Sequence, residues 1–207
     1  MSGGDWFRHS DWSPSIEAAF FAKLARARDK AQYLRIQAGT LAQSHPRVTL
    51  DLLRRYFELG EDFDIAQAWC DKAAAQTALG DIAGAIESYE AALKREETYP
   101  NLLTHAFLLL PLLIVRKNLR ARYAQAQELL EKHRNRVLFP VDVFHWNGAL
   151  AIVLDESGQG ENAAEAANAA LKAADATRSG FRRHPHVGLV RSADFDLLKR
   201  IKKVARR

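Results

Sequence analysis

The sequence predicts an all-α fold in which helical hairpins repeat along the chain. Only 6 prolines and 11 glycines interrupt the 207 residues, and alanine, the strongest helix former, recurs throughout. Apolar residues return at helical spacing in several segments of similar length, which is typical of repeat architectures. With 48% hydrophobic and 27% charged residues, the composition favours a globular protein over a disordered one.

The first predicted helix follows an aromatic leader. Ser13 suits the N-cap position and Pro14 the first helical position. Large rings are costly to leave in water, so we expect the leader to pack onto this helix, with Trp6, Phe7 and Trp12 against Phe20 and Phe21. Residues 1–29 are therefore interpreted as a leader and a capping helix, which a repeat stack needs at its open end.

The clearest repeated unit covers residues 66–99. It divides into two helical stretches around Gly80 and Asp81. Glycine suits the left-handed residue that ends a helix, and aspartate suits the start of the next one. The second stretch carries one apolar stripe at helical spacing, formed by Ala85, Ile86, Tyr89, Ala92 and Leu93.

This unit resembles a tetratricopeptide repeat. The resemblance rests on a 34-residue hairpin with a Gly-Asp turn, on Trp69 early in its first helix, and on the second-helix residues Ala85, Tyr89, Ala92 and Leu93. The unit departs from the family pattern at three positions, where a glycine, an aromatic residue and a proline are usual: Ala73, Gln76 and Glu97.

Three further units can be laid over this one, at residues 30–63, 101–137 and 143–176. Aligned positions Thr49, Ala85, Ala126 and Ala163 are spaced by 36, 41 and 37 residues. The first helices are expected near residues 31–42, 102–117 and 143–154. The resemblance thus implies an α-solenoid of four degenerate hairpins over residues 30–176, followed by a C-terminal extension.

In this family, the first helix of each hairpin lines a concave groove that takes a peptide or protein segment. Carrying those positions over gives six polar candidates: Arg35, Gln67, Asp71, Thr77, His145 and Asp155. The remaining positions are mostly small, including Ala38, Cys70 and Gly148, which predicts a roomy groove. The paired cations with asparagines by which some members hold a terminal carboxylate are missing, so that ligand is disfavoured.

The extension, residues 177–207, is strongly basic. Residues 180–207 hold nine Lys or Arg and two Asp, a net charge of +7, whereas the rest of the chain carries −2. We expect an extended segment, then a helix capped by Ser192, with Phe195, Leu198 and Ile201 on one side. The basic residues of this helix are Lys199, Arg200, Lys202, Lys203, Arg206 and Arg207.

Two alternatives stay open for the extension. In the first, the protein is a regulator whose basic helix contacts nucleic acid or an anionic surface, with the repeats as a dimerisation or partner platform. In the second, residues 180–190 fold back into the groove, since their apolar side chains match its size.

The sequence lacks the short motifs that identify common classes of enzymes and metal-binding proteins. We find no Walker loop, no nucleophile elbow and no metal-binding helix motif, so neither an enzyme nor a cofactor or metal site is predicted. Cys70 is the only cysteine, which excludes an intramolecular disulfide and favours a reducing compartment. No signal peptide is recognisable. The sequence therefore predicts a cytoplasmic scaffold that binds a peptide or protein segment, with a homodimer as a further possibility.

Overall fold

The computed structural model describes residues 5–60, 63–190 and 195–207. These residues contain α-helices and short 3₁₀ turns but no β-strand, which confirms the predicted all-α class. The chain divides into two compact units, Met1–Ala106 and Phe107–Arg207. The helices are α1 Pro14–Arg26, α2 Lys30–Leu41, α3 Pro46–Glu58, α4 Ile65–Leu79, α5 Ile82–Thr98, α6 Ala106–Arg116, α7 Tyr123–Lys132, α8 Pro140–Glu156, α9 Gly160–Ala174 and α10 Phe195–Val204.

Unit 1 is built from two helical hairpins and one flanking helix. Helix α2 pairs with α3, and α4 pairs with α5. Helix α4 also packs against both α2 and α3, while α1 rests on α2. The core between α1, α2, α3 and α4 contains Phe20, Leu41, Leu53 and Tyr56. The second hairpin is therefore joined to the first mainly through α4.

The aromatic leader packs as predicted. The Trp6 and Trp12 rings lie 5.5 and 5.6 Å from that of Phe20, and Ser13 caps α1 by accepting a hydrogen bond from the Ile16 N–H. Gln37, which is fully buried on α2, exchanges two hydrogen bonds with the backbone of His9 at 2.8 and 2.9 Å. The leader is thus held by backbone hydrogen bonds as well as by its rings.

The turn between α4 and α5 is also as predicted. Gly80 has a φ of +82°, in the left-handed region, and the Asp81 carboxylate caps α5 by accepting from the Gly84 N–H. Gln76, at the position where the repeat family has an aromatic residue, accepts a 2.6 Å hydrogen bond from the Ser88 hydroxyl. A buried polar bond thus joins α4 to α5 where the family pattern has an aromatic contact.

The helix predicted from residue 102 begins instead at Ala106. The buried Glu96 carboxylate accepts hydrogen bonds from both the backbone N–H and the hydroxyl of Thr104, at 2.7 and 2.5 Å. The Thr104 hydroxyl in turn accepts from the Ala106 N–H at 3.1 Å. These bonds hold the residues before Ala106 outside the helix, and the first of them spans eight residues, beyond the reach of local pattern reading.

Unit 2 centres on the hairpin of α8 and α9, with α7 and α10 packed against it. The Trp146 indole N–H donates to the Leu130 carbonyl at 2.9 Å, joining α8 to α7. Gly158, with a φ of +75°, forms the turn between α8 and α9. Helix α10 contacts both α8 and α9, so the C-terminal helix belongs to the packed core of this unit.

The predicted orientation of the C-terminal helix is wrong. Ser192, its predicted cap, lies outside the described residues. The stripe that packs inward is Leu197, Ile201 and Val204, all buried, while Phe195 is 68% exposed. Inward packing on α8 and α9 selects residues spaced by four and three, which rotates the helix away from the predicted face of Phe195, Leu198 and Ile201.

Residues 180–190 lie against the start of α8. The Val141 N–H donates to the Gly188 carbonyl at 2.8 Å, and the Phe181 ring lies 4.9 Å from that of Phe139. The fold-back alternative requires this segment to lie along the middle of α8. Its contacts are at the start of α8 instead, and 45% of Phe181 stays exposed.

Among the described residues, no helix combines the length and the apolar character that crossing a lipid bilayer demands.

Candidate binding surfaces

Three of the predicted groove residues meet on unit 1, in a charged cluster on α2 and α4. The Gln67 amide donates to one Asp71 carboxylate oxygen at 2.9 Å, and the Arg35 guanidinium lies 3.9 Å from the other. Arg35 makes its closer ion pair, at 3.2 Å, with Asp64. We call Arg35, Asp64, Gln67 and Asp71 the Arg35 cluster.

The sequence places this cluster by simple helical spacing. Asp64, Gln67 and Asp71 are three and four residues apart, so they share one face at the start of α4. Helix α2 faces them with Gly39, where an added Cβ would lie only 2.9 Å from an Asp71 carboxylate oxygen. A glycine at this position therefore lets the aspartate pack directly against the α2 backbone.

Asp71 is held in an unfavourable environment. Burial raises the pKa of its carboxyl from 3.8 to about 6, and the nearby Asp64 charge adds to the effect. The Gln67 hydrogen bond and the Arg35 charge lower the pKa but do not offset burial. One Asp71 oxygen is buried and has no hydrogen-bond partner in the described part of the chain. The position thus costs stability when it is ionised.

The other predicted groove residues of unit 1 are occupied within the fold. The Thr77 hydroxyl donates to the Ala73 carbonyl of its own helix at 2.8 Å. Cys70 is buried beside Thr104 and Ala106, and burial raises the pKa of its thiol from 9.0 to about 12. Ala38 is fully buried as well. At Ala38 and Cys70 the expected small lining is therefore interior packing, whereas the Arg35 cluster is partly exposed at the surface.

In unit 2, the predicted groove face of α8 is covered by α10. A Cβ added at Gly148 would lie 2.5 Å from the Ile201 Cδ1 atom, so the isoleucine occupies the space that glycine leaves. Asp155 is bound by Arg207, whose Nη1 lies 2.7 and 2.6 Å from the two carboxylate oxygens. His145 is half-buried on the same helix. The prediction of a roomy groove on α8 is wrong, because α10 of the same unit fills that space.

The six basic residues of the predicted tail fall into two groups. Arg200 donates to the Val115 carbonyl at the end of α6 at 2.6 Å, and Arg207 pairs with Asp155. The other four are exposed, three on the outer side of α10 and one just after its end: Lys199, Lys202, Lys203 and Arg206. Two of the cations thus stabilise unit 2, and four face solvent.

Sequence reasoning missed Asp64, a member of the Arg35 cluster, and Gly39, which lies beside the cluster. Asp64 precedes Asp71 by seven residues, a spacing that puts both on one helix face and that could have identified it. Gly39 carries no such signal, since its role depends on the approach of α4 to α2. In the comparisons with known proteins, no family model, curated protein or solved structure matches this chain.

Proposed function

We propose that the protein is a non-catalytic scaffold of tetratricopeptide-like hairpins that binds a peptide or protein segment on the α2–α4 face of unit 1. The observation that carries this proposal is the Arg35 cluster. It is a partly exposed charged group that contains a largely buried aspartate with a raised pKa and one carboxylate oxygen without a hydrogen-bond partner in the described residues.

The packing of unit 1 supports a repeat-like arrangement. In stacked hairpins, the first helix of one repeat contacts both helices of the preceding repeat. Helix α4 contacts α2 and α3 in this manner. The first helices α2 and α4 then lie side by side, which is the geometry of a ligand-binding face in such repeats.

Arg35 is the residue best suited to contact a ligand. Its side chain is 22% exposed, and its ion pairs with Asp64 and Asp71 engage Nε and Nη1. A guanidinium carries five N–H donors, so the remaining donors can reach a backbone carbonyl or a carboxylate of a bound segment. Asp64, with 26% of its side chain exposed, can accept from the same segment.

Photocrosslinking in cells tests the assignment. A benzoylphenylalanine at Ala74, one turn beyond Asp71 on α4, should capture a discrete protein product, whereas the same group at exposed Ala83 on α5 should not. Arg35→Glu should abolish the product. The matched control is Arg47→Glu on the exposed side of α3, which should leave it unchanged.

A charge swap distinguishes a role of Arg35 in ligand binding from a purely structural role in the internal ion pair. Arg35→Asp combined with Asp64→Arg restores the internal ion pair, so the melting temperature should return toward wild type while the crosslink stays absent. Identical products from Ala74 and Ala83, or a product that survives Arg35→Glu in a folded variant, would overturn the proposal.

A further inference from the structure

The outer face of α10 forms a second surface with a distinct composition. Around a shallow depression of about 540 Å³ lie Phe195, Leu198, Lys199, Lys202, Lys203 and Arg206. Five of these residues lie on α10 at helical spacing, on the side opposite the buried stripe of Leu197, Ile201 and Val204, and Arg206 follows just beyond the end of the helix. We call this surface the α10 outer face.

The charge of this face is not neutralised within the described residues. The ion pairs Arg120–Glu156 and Arg207–Asp155 of unit 2 use other cations. The one acidic residue of α10, Asp196, lies in its first turn. The four exposed cations therefore stand together on the α10 outer face, and their field favours an anionic partner.

The apolar residues of the α10 outer face reduce the number of anionic partner classes that fit it. Phe195 is 68% exposed, and Leu198 is half-buried beside it. An anionic bilayer would take up the apolar stripe of an amphipathic helix, but the stripe of α10 faces α8 and α9. A nucleic-acid backbone would engage the cations and leave Phe195 and Leu198 in water.

We propose that the α10 outer face binds an acidic segment of a protein, with an apolar side chain of that segment seated on Phe195 and Leu198 and its carboxylates paired with the four cations. The apolar contact fixes the position of the bound segment. The charges speed up its association and make binding sensitive to salt. The proposal goes beyond the proposed function, because it adds a second binding surface and names the class of its partner. It uses a different unit and different residues.

The test is fluorescence anisotropy with the full-length protein and a labelled amphipathic peptide of Glu and Leu at helical spacing. A peptide with every Leu replaced by Ser, a short duplex DNA and phosphatidylserine-containing vesicles serve as comparison ligands. We expect saturable binding of the Glu/Leu peptide that weakens as salt is raised, and clearly weaker binding of the Glu/Ser peptide, the DNA and the vesicles.

Variants on exposed positions keep the fold intact. Lys202→Glu with Lys203→Glu should weaken binding of the Glu/Leu peptide by roughly a hundredfold, and Phe195→Ser by roughly tenfold. Lys172→Glu, on the exposed side of α9, is the matched charge control and should have little effect. Arg35→Glu should not alter it either, which separates this surface from the α2–α4 face.

Three results would overturn the proposal. The first is tighter binding of DNA or vesicles than of the Glu/Leu peptide. The second is binding of the Glu/Ser peptide as tight as that of the Glu/Leu peptide. The third is that none of the four ligands binds at low salt. A loss of peptide binding in Lys172→Glu equal to that in the α10 variants would do so as well, because the effect would then follow net charge alone.

Discussion

The guanidinium of Arg207 holds the carboxylate of Asp155, with its Nη1 at 2.6 and 2.7 Å from the two oxygens. The bond spans 52 residues and fastens the segment that follows α10 to the last turn of α8. The sequence predicts that Arg207 lies in a basic tail and that Asp155 lies in a ligand groove, and this bond joins the two. Asp155 is therefore already engaged by the chain itself.

The Arg207–Asp155 pair should contribute modestly to stability. Arg207 keeps 54% of its side chain exposed and Asp155 16%, so we expect a coupling free energy of about 0.5–1 kcal/mol. A double-mutant cycle with Arg207→Ala and Asp155→Ala, followed by urea unfolding, measures it. Coupling that is zero at low salt would show that the pair does not hold in solution.

Packing of Ile201 into the space above Gly148 should contribute more. We expect Ile201→Ala to destabilise unit 2 by about 2–4 kcal/mol, because it leaves a cavity against α8. Its neighbour Lys202 is exposed, so Lys202→Ala should stay within about 0.5 kcal/mol of wild type. Hydrogen exchange of the α8 amides, together with denaturant unfolding, reports both effects.

The same contact makes a second change informative. Gly148→Ala alone places a methyl group against the Ile201 side chain, while Ile201→Val removes the atom that it would meet. The double variant should therefore be more stable than the sum of the two single changes predicts. Strict additivity would indicate that α10 does not rest on α8 at this point.

Asp71 should make stability fall as pH rises. Its pKa of about 6 in the folded protein lies above its ordinary value of 3.8, so between these values the folded state binds more protons than the unfolded one. The stability gained from the protonated form is full below about pH 4 and is lost as pH rises through about 6. We expect Asp71→Asn to stabilise the protein by about 1–3 kcal/mol at neutral pH and by little at pH about 4.

Chemical denaturation across this pH range measures the effect. Asp51→Asn, on the exposed side of α3, leaves the buried carboxyl in place and should keep the wild-type pH profile. If Asp71→Asn destabilised the protein equally at both ends of the range, the Arg35 pairing would outweigh burial and the assignment of Asp71 as a strained residue would fail.

The Cys70 thiol should be inert in the folded protein. Its pKa rises from 9.0 to about 12 because it is buried, so its thiolate fraction at pH 8 is lower by about a thousandfold. We expect reaction with an aromatic disulfide reagent only after denaturant is added. An exposed thiol made by Ala83→Cys in a Cys70→Ala background supplies the control and should react at once.

Sequence reading located those parts of the fold that depend on local chemistry. The start of α1 follows from Ser13 and the α4–α5 turn from Gly80 and Asp81, because caps and left-handed turns depend on a few adjacent residues. The start of α6 could not be found in this way. It is set by the hydrogen bonds from Thr104 to Glu96, which depend on how the chain returns after α5.

The candidate surfaces show the same division. Arg35 and Asp71 lie 36 residues apart on successive predicted first helices, with Gln67 one turn before Asp71, and the three do come together in unit 1; their role in binding stays a prediction. The docking of α10 could not be derived from sequence. Two overlapping stripes of this helix both include Ile201, and the space at Gly148 decides between them only once α8 and α10 are adjacent.

The glycine at position 148 also has a consequence for biosynthesis. Its covering residue, Ile201, follows about 50 residues later in the chain, which at bacterial or eukaryotic elongation rates corresponds to about 3–10 s. The surface of α8 at Gly148 can therefore be covered only after the last segment of the chain has been synthesised, so this contact forms late in folding.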